Sequence, residues 1–416
     1  MPVNRPSATL TCLGLLALSP SLGGPGGCEA PTPTPAPVDT PAPSTPYPPL
    51  ICEGSGTDTR VTLPILQAPQ PDGARALLAM TVGWGAPTPA LDTQWVGADG
   101  TQGGQTLMDL GADRSVKAAL TPEEGGILLL SQVAAPSESY LLRVGSQGQL
   151  LGEEGPWPGS LTGIVHSGDG YLLTGSTSNT AAPQPLILLV DEAGVLQRRV
   201  EHSRPYPTQV LGAAAAPGGG ALLVGQSGDD GWVGRIDADG ALLWDRIPEA
   251  YERGRFTHAA VTGDGLLVAA GENEIPGSAD QGAWVMAFDQ DAEVAWERTL
   301  HRTAPDGYST SSRIGGVAPL GERGLVVAAY DYEFEEYGQS ALFRLGAGGA
   351  VQGVTPIDFD APSDLGDAHS PGEVTASSLG PDGALLLAGA VYVDELVYPG
   401  PEEDGRWVPA WLRCAP

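Results

Sequence analysis

Seven glycine-led apolar runs punctuate this chain, and few folds accept interruption at so regular an interval. They begin at Gly73, Gly126, Gly170, Gly220, Gly265, Gly324 and Gly383, spaced 44 to 59 residues apart. Four or five apolar residues between turn signals make a strand and are too few for a helix. Most runs follow a tight turn such as Pro71-Asp72-Gly73, Gly168-Asp169-Gly170 or Pro381-Asp382-Gly383. Before the turn lies a short stretch of small and apolar residues, as at 161–166 and 210–216. Asp-Gly between two such stretches marks a hairpin.

A second hairpin follows each run. Residues 232–244 (Trp-Val-Gly-Arg-Ile-Asp-Ala-Asp-Gly-Ala-Leu-Leu-Trp) align without gaps on 284–296, and weaker copies turn at Gly148, Gly194 and Gly349. Four strands per unit joined by tight turns is the pattern of a propeller blade, with small residues in the first strand suited to a crowded axis. The fold class expected is therefore all-β: a single β-propeller of about seven four-stranded blades spanning 50–416. The last segment, Ala410 to Cys414, aligns on third strands at 140–144 and 232–236, so the last blade lacks a fourth. Residues 50–56 precede the first inner strand (Val61 to Ala68) and are placed to supply it. A ring closed this way has no loose sheet edge at either terminus.

The aspartate-glycine-apolar-apolar-tryptophan hairpin resembles the quinoprotein-type (PQQ-like) repeat of bacterial propellers, clearest in the two blades that hold 232–244 and 284–296. That family includes outer-membrane assembly lipoproteins that bind no cofactor. The resemblance covers the outer hairpins only, and such propellers commonly have eight blades.

The N-terminus points to export. Arg5, an apolar stretch from Leu10 to Leu18 and small residues after it form a signal sequence, too short to span a bilayer. It ends at Pro25-Gly26-Gly27-Cys28, where a small residue before cysteine resembles a lipobox, with Cys28 as the lipidated residue; ordinary cleavage is the alternative. Residues 1–27 are thus read as a lipoprotein-type signal peptide and 28–49 as a Pro-rich disordered tether. At ~3.1 Å per residue in polyproline II, such a tether spans about 60 Å. Two of the four cysteines, Cys52 and Cys414, remain in the mature chain at opposite ends. In an oxidising compartment they are expected to form a disulfide. The protein is expected at the cell envelope, membrane-anchored, facing periplasm or surface.

A formal net charge of -30 repels phosphate backbones and anionic bilayers, so nucleic acid is excluded as a partner and the membrane is reached through the lipid anchor alone. The sequence has no nucleophile elbow, no His-Glu-x-x-His, no phosphate loop and no Cys-x-x-Cys. The five histidines form no ring at one strand level. Longer loops share one face, and binding residues gather on such loops. Asp331, Glu333, Glu335 and Tyr337 in one, with Glu402 and Asp404 in another, mark a candidate acidic binding face. Asp358, Asp360, Asp364 and Asp367 are the carboxylates that would wrap a calcium ion; a solvated acidic rim is the alternative. No other cofactor is expected. The reading is a monomeric, non-catalytic binding or scaffolding propeller for an envelope protein or glycan. An exported enzyme, quinoprotein-like or polysaccharide-acting, is the rival.

Overall fold

The computed structural model describes residues 51–57, 62–66, 75–81, 90–96, 102–109, 114–120, 127–133, 137–145, 149–178, 181–248, 253–274, 281–300, 311–320, 324–332, 339–357, 372–379, 385–393 and 406–415. These residues form seven four-stranded antiparallel sheets. Six are simple meanders in chain order, each running from an inner to an outer strand. Their inner strands are Thr62–Leu66, Arg114–Leu120, Ser160–Ser167, Thr208–Ala215, Gly254–Val261 and Ser311–Pro319, here blades 1 to 6. Blade 7 starts at Gly372–Leu379 and is completed by Ile51–Thr57, which pairs with Arg406–Ala415. Each inner strand contacts the next in sequence, and the first contacts the last. The chain is a seven-bladed β-propeller.

The core is distributed between blades. Leu222, Val224 and Val233 of blade 4 pack on Phe256, Leu267 and Trp284 of blade 5, with the Phe256 and Trp284 rings stacked 4.2 Å apart. Val268, Val285 and Leu300 of blade 5 pack on Ile314, Val327 and Phe343 of blade 6. The sheets of blades 3 to 6 are therefore buried on both faces, which explains second strands that read as continuous apolar runs.

The outer hairpins share one turn. In blades 3 to 6 the turns 191–195, 237–241, 289–293 and 346–350 close with two backbone hydrogen bonds, and the fourth residue has φ of 70 to 86°. Glycine holds that position in three of them; Ala292 accepts it in blade 5. The aspartate that opens three of these turns accepts a backbone N–H from the fifth residue on Oδ1 (2.8 to 2.9 Å). Asp237 thus serves its own turn.

In blades 4 and 5 tryptophans link the outer hairpin inward and sideways. Trp232 and Trp284, on third strands, donate to Asp245 and Glu297 of the neighbouring fourth strand. Trp244 and Trp296, on fourth strands, donate to the turn carbonyls of Gln290 and Ala347 in the next blade, both at 3.0 Å. His202 reaches Gly240 O of the next blade in the same way.

At the ring closure, Cys52 and Cys414 are Cα partners in the antiparallel ladder. Cys414 is fully buried and disulfide-bonded. Cys28 and the segments expected to be a signal sequence (1–27) and a Pro-rich tether (28–49) lie outside the described residues.

Candidate functional site: a polar cavity at the channel mouth

Six inner strands carry a one-residue bulge at the same level: Lys117, Thr162, Leu211, Thr257, Gly315 and Thr375 are each skipped in the ladder to the second strand. A bulge bends its strand and re-aims the residues beside it. It also brings neighbouring inner strands close. A Cβ on Gly212 would meet Thr257 O at 2.6 Å, and one on Gly163 would meet the Ala213 methyl at 2.9 Å. Thr162 Oγ1 donates across the gap to Val210 O at 2.9 Å.

Two residues before the bulge, toward the face that carries the second-to-third-strand and blade-to-blade connections, the strands present Ser160, Gln209, Arg255 and Arg313. Ser115 and Glu373 hold the same place by register. Arg255 faces Glu272 across the ladder and donates from Nε (3.2 Å) and Nη2 (2.9 Å) to its Oε2. Glu272 is only 6 % exposed. Its Oε1 lies 3.8 Å from Arg313 Nε of blade 6. Two arginines from adjacent blades thus flank one buried carboxylate, an arrangement that holds its side chain in place.

These groups line a cavity of about 260 Å³ together with Gln226, Arg253 and Asn273. Asn273 is 1 % exposed, and neither atom of its amide has a hydrogen-bond partner. Buried amides are almost always satisfied. Arg253 meets Glu274 at 3.5 Å from an exposed position.

Deeper in the same inner strand sits His258. Its Nδ1 shares a 2.8 Å hydrogen bond with Thr257 Oγ1. Burial pushes its pKa down to about 4, against a backbone hydrogen bond with Gly315 that raises it. The ring is neutral at any pH above that value. His166 is exposed and sits edge-on to Tyr171, with centroids 5.6 Å apart.

Of the candidates read from sequence, Glu333, Glu335, Tyr337, Glu402, Asp404 and the carboxylates Asp358, Asp360, Asp364 and Asp367 lie outside the described residues. The backbone of Asp331 lies one residue before the end of the second strand of blade 6 (Leu325–Tyr332), paired with Ser312 and Gln339. Among the described residues no group of three His, Cys, Asp or Glu is placed to hold a metal ion. The arginine–glutamate cavity was missed. Its signal was available: Arg255 and Arg313 occupy equivalent places one blade apart, in strands otherwise dominated by small residues.

No family model matches the sequence, and no curated protein does. The likeness to known proteins lies in structure. The periplasmic gluconolactonase of Pseudomonas aeruginosa aligns at 15 % identity and a TM-score of 0.54, covering 82 % of this chain and 99 % of that one. A Lactobacillus plantarum protein aligns at 14 % and 0.48, over 80 % and 98 % of the two chains. The β-propeller domain of the trilobed protease from Pyrococcus furiosus aligns at 9 % and 0.44, over 83 % and 98 %. At these identities the shared property is the fold.

Proposed function

We propose that this chain is an exported, lipid-anchored propeller that binds an envelope glycan or protein through its loop-bearing face without turning it over. The observation that carries the reading is the cavity at the channel mouth, where a buried arginine-held carboxylate stands beside an amide that lacks a partner. A rigid ring with a polar, solvent-reachable notch on its loop face is a binding device. The likeness of the outer hairpins to quinoprotein-type repeats, which occur in assembly lipoproteins without a cofactor, supports the same reading. His258, held neutral, is a weak base, and its hydrogen bond to Thr257 gives it a structural task.

Two experiments test this. Cys28→Ala is expected to move the protein from the membrane to the soluble export fraction; unchanged fractionation removes the anchor. The mature protein immobilised through its tether is expected to retain a defined glycan or protein from detergent-solubilised envelope, and Arg255→Gln to reduce that retention. Assayed on gluconolactone, because a structural neighbour bears that activity in its name, the protein is expected to be inactive. Turnover abolished by Glu272→Gln would replace the binding reading with a hydrolytic one.

A further inference from the structure

We propose that the cavity at the mouth of blade 5 recognises an N-acetylated hexosamine residue, with Asn273 as the acetamido-reading group. The proposal rests on the glycan-binding reading above and names the sugar class. Asn273 offers one donor pair and one acceptor, both unpartnered, on a side chain 1 % exposed. The complement of a carboxamide is another amide: Nδ2–H donates to the acetamido carbonyl, and the acetamido N–H donates to Oδ1. An amide left unsatisfied costs stability, so a fold that keeps one at a cavity wall gains most when a ligand supplies both partners.

The rest of the lining selects a sugar over a peptide. Among the described residues, every one lining the cavity apart from Gly254 carries a polar side chain. Peptide side chains gain from apolar pockets, whereas ring hydroxyls need paired donors and acceptors. Arg255 and Glu272 supply these side by side. Glu272 Oε2 is occupied by Arg255, while Oε1 sits 3.8 Å from Arg313, beyond hydrogen-bond range, and can accept from a hydroxyl. Among the described lining residues three arginines (Arg253, Arg255, Arg313) balance three carboxylates (Asp229, Glu272, Glu274), a set that suits an uncharged ligand. A volume of about 260 Å³ holds one ring; clefts for drug-sized ligands run to roughly 300–1,000 Å³. Asn273 is buried, so a lining side chain must move for a ligand to reach it. Arg253, with a side chain 64 % exposed and held by a 3.5 Å ion pair, is one that can move at little cost.

The test is calorimetric titration of the full mature protein with N,N′-diacetylchitobiose, cellobiose and an N-acetylated dipeptide amide. The acetylated disaccharide is expected to bind at least about tenfold more tightly than cellobiose, since two amide hydrogen bonds are at stake. Asn273→Ala is expected to abolish that tenfold preference while leaving the melting temperature equal or higher, because it removes an unpaired buried group. Arg255→Gln is expected to weaken both sugars. Equal affinity for the two disaccharides, absence of chitobiose binding at millimolar concentration, or a preference that survives Asn273→Ala each overturns the proposal. Tighter binding of the dipeptide amide assigns the notch to peptides and overturns it as well. If another glycan binds and Asn273→Ala leaves it unaffected, the sugar class fails while the binding function stands.

Discussion

Gly212 stands where the chain has no room for a side chain. A Cβ there would meet the Thr257 carbonyl of the next inner strand at 2.6 Å, and neither backbone can yield without opening the ring. Gly212→Ala is therefore expected to lower stability by about 1–3 kcal/mol, measured by denaturant unfolding, whereas Gly218→Ala, with nothing within 4 Å, suffers only the strain of its φ of 78°. The small residues of the inner strands were legible in the sequence; the bulge that makes them necessary was not, because it depends on pairing with the second strand. His258 shows the same division. Its place on an inner strand could be read, but its pKa of about 4 follows from burial beside Gly315 of another blade. Between the ordinary value of 6.5 and about 4, the unfolded chain binds a proton that the folded chain refuses. This contribution to stability is complete above 6.5 and is lost as pH falls toward 4. The loss is at most about 3 kcal/mol, less where channel water screens the half-buried ring. A variant His258→Gln is expected to flatten that part of the stability–pH curve relative to the parent; superimposable slopes would show that the ring is solvated.

The hairpin is the element that the sequence displayed most openly. Residues 232–244 and 284–296 align without gaps, and both adopt the same turn with the same aspartate bond. The tryptophans, however, do two different jobs that a single-blade reading cannot separate. Trp284 ties its own hairpin through Glu297, while Trp296 reaches the turn of the following blade. A position 51 residues away supplies that acceptor, and only the ring brings it near. Trp296→Phe keeps the apolar contact and removes the Nε1 donor, leaving Ala347 O at the surface to find water. It is expected to cost about 1 kcal/mol, and Trp296→Ala about 3–5 kcal/mol. Gly349 packs against the same indole, and a Cβ there would stand 2.5 Å from Cδ2. Gly349→Ala should therefore lower the melting temperature in the parent and less so in Trp296→Ala, because the clash needs the ring. Equal losses in both backgrounds would place the cost in backbone strain alone. The arginine–glutamate cavity escaped notice for a related reason: Arg255, Glu272 and Arg313 come from three strands in two blades.

At the scale of the whole molecule, the decisive step is closure. The missing fourth strand of the last blade was readable from the alignment of its final residues, and Ile51–Thr57 fills that place. Closure joins strands 349 residues apart, from Thr57 to Arg406, with nothing local to help, so it depends on the clasp between them. Cys52 and Cys414 face each other across that ladder, and Cys414 is buried and disulfide-bonded, which supports pairing between the two. Directly opposed residues in an antiparallel pair fall within the Cα separation that a disulfide requires. Joining ends so far apart restricts the unfolded chain; the entropic estimate is roughly 5–6 kcal/mol, an upper figure for a loop of this length. Quantitative thiol labelling of the native protein is expected to leave both cysteines unreacted until a reductant is added. Cys414→Ser should then lower stability by a few kcal/mol while the sheets of blades 2 to 6 keep their protection in hydrogen exchange, because their cores lie between neighbouring blades. Deleting residues 51–57 should be worse than losing the disulfide, since it also exposes the edge of 406–415 and invites pairing between chains. Closure through this strand is wrong if the deletion is milder than Cys414→Ser, or if both thiols label freely in the native protein.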